Sequence, residues 1–181
     1  MRTFPYQRIV VVGTTGSGKT TVAGRLAGCL HIPHIELDAL HWEANWSHVT
    51  DEELRKRIDA ATHLDAWVVD GNYGVTRNIT WPRAQAVIWL DYPLWTVFWQ
   101  LWRRILKRWW TKELLWGNNR EHLLVHFKLW SDDSLIKWLF KTYWRRKRDY
   151  PHLFARPEYA HLKVIQLRRP KETETWFNSL D

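Results

Sequence analysis

The chain has 181 residues, 45% apolar and 25% charged, proportions that suit one well-packed domain, leave two cramped and exclude intrinsic disorder. The single cysteine, Cys29, rules out an internal disulfide, and Arg, Lys or Gln interrupts every apolar run before it is long enough to cross a bilayer. No charged n-region followed by an apolar h-region opens the chain, so a cytoplasmic protein is expected. A net charge of +8 and 15 Trp are unusual, and they bear on partners more than on fold.

"RIVVVG", Arg8 to Gly13, is a continuous β-branched run and reads as a strand buried on both faces. The loop "TTGSG" follows, and "KTTVAGRLAGCL" then spaces its apolar residues as a helix does. A second short strand is predicted over Ile35 to Asp38, after the turn-favouring Pro33. Thr50 to Leu64 opens with a Thr50-x-x-Glu53 capping box and puts Leu54, Ile58 and Ala61 on one helical face. "AWVVDGNYG" and "AQAVIWLDYP" are apolar runs that each end in Asp, so both read as buried strands with a carboxylate at the carboxyl end.

Leu94 to Trp110 predicts an amphipathic basic helix. Trp95, Phe98, Trp99, Trp102, Ile105 and Trp109 share one face, and Gln100, Arg103, Arg104, Lys107 and Arg108 the other. By default Trp95, Trp99, Trp102 and Trp109 are core, packing this helix on the sheet. Trp109-Trp110 beside Arg108, and Trp144 beside Arg145, also make surfaces suited to stacking on bases or to a membrane interface. A looser stretch with Gly117-Asn118-Asn119 precedes a helix predicted over Asp132 to Arg148. "HLKVIQLRR" then reads as a last strand and "KETETWFNSL" as a C-terminal helix. Strands alternating with helices imply a parallel sheet with right-handed crossovers, in one α/β domain over residues 1–181.

Gly13-x-x-x-x-Gly18-Lys19-Thr20 matches the phosphate-loop pattern, with a strand before it and a helix after. Gly16 and Gly18 permit backbone conformations that let successive N–H groups converge on phosphate oxygens, so the predicted cradle is Gly13, Thr14, Thr15, Gly16, Ser17, Gly18, Lys19, Thr20 and Thr21. Lys19 supplies a cation for the β- and γ-phosphates and Thr20 a hydroxyl for Mg²⁺. Asp70 and Asp91 both end apolar strands; Asp70 is favoured for the metal because Gly71 lets the backbone approach closely. Asp38 points toward the pocket beyond the strand ends, where an acceptor hydroxyl would lie, or else caps a helix. His31 and His34 flank a proline turn, and His122 and His126 stand at i, i+4 without the glutamate of H-E-x-x-H, so no metal site is expected from the histidines.

The phosphate loop, "VVDGNYG" and "VIWLDYP" resemble the adenylate kinase-like branch of P-loop kinases. More closely, "LDALHW", "WVVDGNY", the Trp- and Arg-rich third quarter and "VIQLRR" resemble the small bacterial proteins labelled DNA topology modulation proteins, over nearly the whole chain. The resemblance implies a P-loop NTPase of three-layer α/β/α architecture with a five-stranded parallel sheet, ATP with Mg²⁺, and a mobile lid at about residues 104–148. It makes Arg104 and Arg108 the leading lid arginines, with Arg103 and the pair Arg145/Arg146 behind them. Gly74 stands where adenylate kinases place a nucleotide-binding Arg, which argues against AMP as acceptor; Arg77 is a weaker substitute. The expected activity is transfer of the ATP γ-phosphoryl group to a small-molecule hydroxyl or phosphate. Its alternative is an ATP-gated protein that grips nucleic acid or an anionic membrane surface.

Overall fold

The computed structural model describes residues 4–112, 114–116, 119–120 and 134–180. β1 (Arg8–Gly13) leads through the glycine loop into α1 (Lys19–Leu30), then β2 (His34–Glu36) and the short α2 (Leu37–His41). α3 (Asp51–Ala61), β3 (Trp67–Asp70), α4 (Arg77–Arg83) and β4 (Ala86–Leu90) follow. Next come α5 (Leu94–Thr111), the hairpin β5 (Leu114–Leu115) and β6 (Asn119–Arg120), α6 (Leu135–Phe154), β7 (Lys163–Leu167) and α7 (Pro170–Asn178).

Five strands form one parallel sheet in the order β2-β3-β1-β4-β7. Because successive side chains of a strand point to opposite faces, the run Ile9 to Val12 feeds two cores at once. Ile9 and Val11 pack with Leu26 of α1 and Leu101 of α5, whereas Val10 and Val12 pack with Leu54 and Ile58 of α3. This gives the three layers expected from alternating strands and helices. The capping box is half realised: the Thr50 hydroxyl accepts from the Glu53 N–H at 3.2 Å, while the Glu53 carboxylate turns to Arg57 Nε at 3.0 Å.

Several boundaries differ from the sequence reading. The second strand ends at Glu36, and Asp38 lies in the first turn of α2 instead of at the strand end. Asp132 falls outside the described residues; α6 is described from Leu135, with the Ser134 hydroxyl accepting from Lys137 N–H, and runs on to Phe154 beyond Arg148. The extension is held by burial of Tyr150 and Leu153, which outweighs the missing N–H of Pro151.

α5 buries a different side from the one its sequence predicts. Its buried residues are Val97, Leu101 and Ile105, whereas Trp95, Trp99 and Trp109 are exposed. Only Trp102 of the four tryptophans expected in the core packs against it, partly buried. The apolar arc of this helix is wider than one interface, and the branched aliphatic side of it takes the sheet. Leu101 is fully buried over the glycine loop, so Leu101→Ala should lower unfolding free energy by about 2–5 kcal/mol, measured by urea denaturation.

Candidate functional site

The site lies at the carboxyl ends of β1, β2 and β3, where parallel strands stop and a loop must accept unpaired backbone groups. Gly16 (φ 85°) and Gly18 (φ 84°) take the left-handed conformation that turns the loop onto the N-terminus of α1. A β-carbon on Gly16 would stand 2.7 Å from Leu101 Cβ and 2.9 Å from the Val97 carbonyl, so α5 presses directly on the loop. Thr14 lies inside the turn and its carbonyl accepts from Ser17 N–H at 3.0 Å and Lys19 Nζ at 3.3 Å. The Ser17 hydroxyl is buried and has no hydrogen-bond partner among the described residues. Thr15 is half-buried, and Thr21 faces outward on the first turn of α1.

Thr20 and Asp70 converge. The Thr20 hydroxyl donates to Asp70 Oδ2 at 2.7 Å, and Asp70 is buried, at 3% exposure. Its other oxygen accepts from His34 Nε2 at 3.0 Å, an interaction that raises the His34 pKa against the opposing effect of burial. Nothing in the sequence spacing pointed to His34; the pairing of β2 with β3 brings it there, with Glu36 opposite Asp70. Asp91 is occupied elsewhere, accepting from Gln166 Nε2 at 2.8 Å and pairing with Lys147 Nζ at 3.3 Å. The hydroxyl and carboxylate at the loop mouth are hard oxygen donors of the kind Mg²⁺ takes, so this donor set fits the metal.

Beyond the last rung of the β1–β3 ladder, the side chain of Asn72 continues it. Gly13 N–H donates to Asn72 Oδ1 at 3.3 Å, and Asn72 Nδ2 donates to the Gly13 carbonyl. Tyr150 of α6 donates its hydroxyl to the same Oδ1 at 2.8 Å. Gly71 (φ 140°) makes the turn possible, with Leu37 so close that an added β-carbon would lie 2.7 Å away.

α6 belongs to both cores: Leu139 and Tyr143 pack on one face of the sheet, Tyr150 and Leu153 on the other. It therefore crosses the carboxyl edge, and Arg146, one turn before Tyr150, comes close enough to act on Lys19. Arg146 Nη1 is buried without a partner among the described residues. Burial lowers the pKa of Arg146. Lys19 is pulled down to about 8, first by burial, then by Arg146; Asp38 and Asp70 oppose this, and Arg104 adds a smaller repulsion. The folded protein thus releases this proton near pH 8 and the unfolded chain near 10.5, so the free protein gains stability as pH rises through that window.

Arg104 and Arg108 lie half-buried on successive turns of α5 beyond Leu101. Arg104 is close enough to act on Lys19. Arg103 and Arg145 are exposed. Arg77, half-buried, stacks its guanidinium over Trp81 at 5.2 Å.

Asp38 does not cap α2; it accepts from the Tyr73 hydroxyl at 2.7 Å. Burial first, and then Asp38, push the Tyr73 pKa far up, so the phenol remains a donor. Around them His41 meets Tyr73 at 4.7 Å and stacks on His48 at 5.2 Å, with its own pKa lowered by burial and by His48. The hairpin closes this side: Trp116 Nε1 donates to Glu36 at 3.0 Å, and Asn119 Nδ2 to the Glu43 carbonyl at 2.7 Å. His122 and His126 lie outside the described residues.

A family model, the ATPase family associated with various cellular activities (AAA), matches residues 9–91. Among solved structures, a shikimate kinase from Acinetobacter baumannii in complex with shikimate aligns at TM-score 0.54 and 17% identity, over 97% of this chain and 92% of that one. A gluconokinase from Sinorhizobium meliloti 1021 aligns at TM-score 0.53 and 17% identity, over 99% and 95%. The fold is that of the P-loop kinases. A sugar kinase from Janibacter sp. HTCC2649 is similar at TM-score 0.50 and 20% identity, over 98% and 95%. No curated protein matches the chain in sequence. Identities this low speak for the fold and leave the reaction to be argued from the site.

Replacing Asn72 by Ala strands the Gly13 backbone groups and the buried Tyr150 hydroxyl together, so it should cost about 1–3 kcal/mol for each group left unpaired. Tyr150→Phe leaves Asn72 its Gly13 bonds and should cost about 0.5–1.5 kcal/mol. Chemical denaturation of the two variants measures the difference.

Proposed function

We propose that the protein is an ATP-dependent kinase that moves the γ-phosphoryl group of ATP to a small-molecule acceptor. The observation that carries this reading is the convergence, at one strand edge, of a glycine loop, the Lys19 ammonium, the Thr20–Asp70 pair and the buried guanidinium of Arg146, with the Asp38 carboxylate across from them. A kinase needs positioned cations around the transferring group and a carboxylate facing the acceptor, and little covalent chemistry of its own. The kinase neighbours support the same class.

In this reading Gly13, Thr14, Thr15, Gly16, Ser17, Gly18 and Thr21 form the cradle, and Lys19 binds the β- and γ-phosphates. Thr20 and Asp70 would hold Mg²⁺, which would neutralise charge on those phosphates. His34 fixes Asp70 from behind. Tyr73 occupies Asp38 Oδ1, leaving Oδ2 for an acceptor hydroxyl. The acceptor oxygen bonds to the γ-phosphorus, the bond from that phosphorus to the β–γ bridging oxygen breaks, and ADP leaves with that electron pair. Asp38 takes the acceptor proton. Arg146 on α6, with Arg104 and Arg108 on α5, meets the charge on the transferring group. The motifs "LDALHW" and "WVVDGNY" place this kinase, in our reading, with the adenylate kinase-related DNA topology modulation proteins.

The test is ATP consumption by the purified protein with Mg²⁺, with and without pooled nucleosides, nucleotides and sugars. Acceptor-dependent consumption that disappears in a folded Lys19→Ala variant is expected; consumption unchanged in that variant overturns the assignment. Arg146→Ala should keep the fold and lower kcat by about 10²–10³-fold, the loss typical of a donor aimed at developing charge.

Affinity for MgATP should also depend on pH. Phosphate favours the Lys19 ammonium, so binding above pH 8 takes up the proton that free Lys19 has released near 8. Affinity is then flat below that value and falls by up to about tenfold per pH unit above it. In Lys19→Arg the cation does not titrate, and calorimetry across the same range should show no such fall.

A further inference from the structure

The tryptophans that the core does not use form a surface of their own. On α5, Trp95 is 72% exposed, Trp99 59% and Trp110 80%; on α6, Trp144 is 65% exposed. The two helices pack together, and their outward aromatics join: Trp95 meets Phe98 at 5.8 Å, Phe98 meets Phe140 at 6.1 Å, and Trp144 follows Phe140 one turn later. Exposed Trp99, Leu106, Trp109 and Trp110 extend this apolar face along α5, which at 18 residues spans ~27 Å. On α5 it lies round the helix from Val97 and Leu101, the residues that face the glycine loop.

Charge borders the band on both sides. α5 contains Arg103, Arg104, Lys107 and Arg108 and no Asp or Glu; α6 carries six Lys or Arg against one acid, Asp149. Arg103 and Lys107 flank the band on α5, and Lys141 and Arg145 on α6; all four are exposed and make no ion pair among the described residues. A chain of net charge +8 thus gathers, among the described residues, cations without an ion pair beside a row of exposed aromatics.

We propose that this face of α5 and α6 docks on an anionic lipid surface, with the indoles at the level of the headgroups and the lysines and arginines against lipid phosphates. Indole suits that position because its ring is apolar and its N–H remains hydrated. Long cationic side chains lay their methylene stems beside apolar groups and keep their charge in the headgroup layer. Among the described residues no helix is long and apolar enough to cross a membrane, so the contact is peripheral. Duplex nucleic acid fits less well, since its phosphate backbone is gripped by Ser, Thr, Asn and Gln as well as by cations; single strands, whose bases stack on indoles, are the competitor that the test separates. A second copy fits less well again, since it would bring two cationic rims together.

The experiment is flotation of the full chain with vesicles of phosphatidylcholine alone and of phosphatidylcholine with phosphatidylglycerol, read together with quenching of tryptophan emission by brominated acyl chains. Binding to the anionic vesicles, weakened by salt and accompanied by quenching, is expected. Trp95→Ser/Trp99→Ser/Trp144→Ser should bind at least about tenfold more weakly, and Lys141→Glu/Arg145→Glu should lose the preference for phosphatidylglycerol while keeping its melting temperature. If the triple variant fails to fold, Trp99→Ser alone should still reduce quenching. Equal binding to both vesicles, binding unchanged in the variants, capture of DNA in preference to vesicles, or a dimer in light scattering that the triple variant abolishes would each overturn the proposal. Lys19→Ala should bind vesicles like the wild type, so the lipid surface and the kinase reading stand or fall separately.

Discussion

The amide of Asn72 settles a problem that every parallel sheet poses at its carboxyl edge. β1 and β3 stop pairing at Val11 and Asp70, yet β1 must continue to Gly13 before the glycine loop can begin. Unpaired, the Gly13 N–H and carbonyl would be buried at a cost in free energy comparable to a lost hydrogen bond each. The Asn72 side chain takes both, as a neighbouring strand would, and so sets where the loop starts. From that point Gly16 turns under α5, Lys19 opens α1, and Thr20 comes to Asp70.

The same amide ties the loop to α6 through Tyr150. Two further contacts hold that helix across the edge: Tyr143 donates its hydroxyl to the Tyr92 carbonyl at 3.1 Å, and Lys147 pairs with Asp91 at 3.3 Å. These anchors lie at both ends of the turn that carries Arg146. A guanidinium with a nitrogen that has no partner among the described residues, close to a lysine, is unfavourable in the free protein, and the packing of α6 compensates for it. An anion with several charges would relieve both cations at once, which is the electrostatic sense of the site.

Much of this was legible before the structure. The phosphate loop announces itself because glycines at left-handed positions, a lysine and a hydroxyl at fixed spacing have few other uses. In sequence Gly71 favours Asp70 over Asp91 for a metal; in the fold Thr20 reaches Asp70, while Gln166 and Lys147 hold Asp91. What the sequence hid depends on tertiary placement. The basic run from Arg145 to Arg148 looks like a solvated helix face, and only the crossing of α6 over the sheet separates Arg146 from Arg145. His34 reached Asp70 through strand pairing, which no local spacing encodes. In sequence Asp38 reads as a strand-end residue or a cap; in the fold it accepts from Tyr73 of the loop after β3.

A helix whose apolar residues cover well over a third of its circumference cannot bury all of them against one sheet, and periodicity does not say which part is buried. Packing decided in favour of Val97, Leu101 and Ile105, whose compact side chains allow the close approach to Gly16 that the loop requires. An indole at position 101 would hold the helix away from the loop. The tryptophans are therefore displaced outward by the demands of the phosphate site. Their retention as large exposed aromatics, beside cations that make no ion pair among the described residues, is a separate feature of the chain and is the surface the lipid proposal uses.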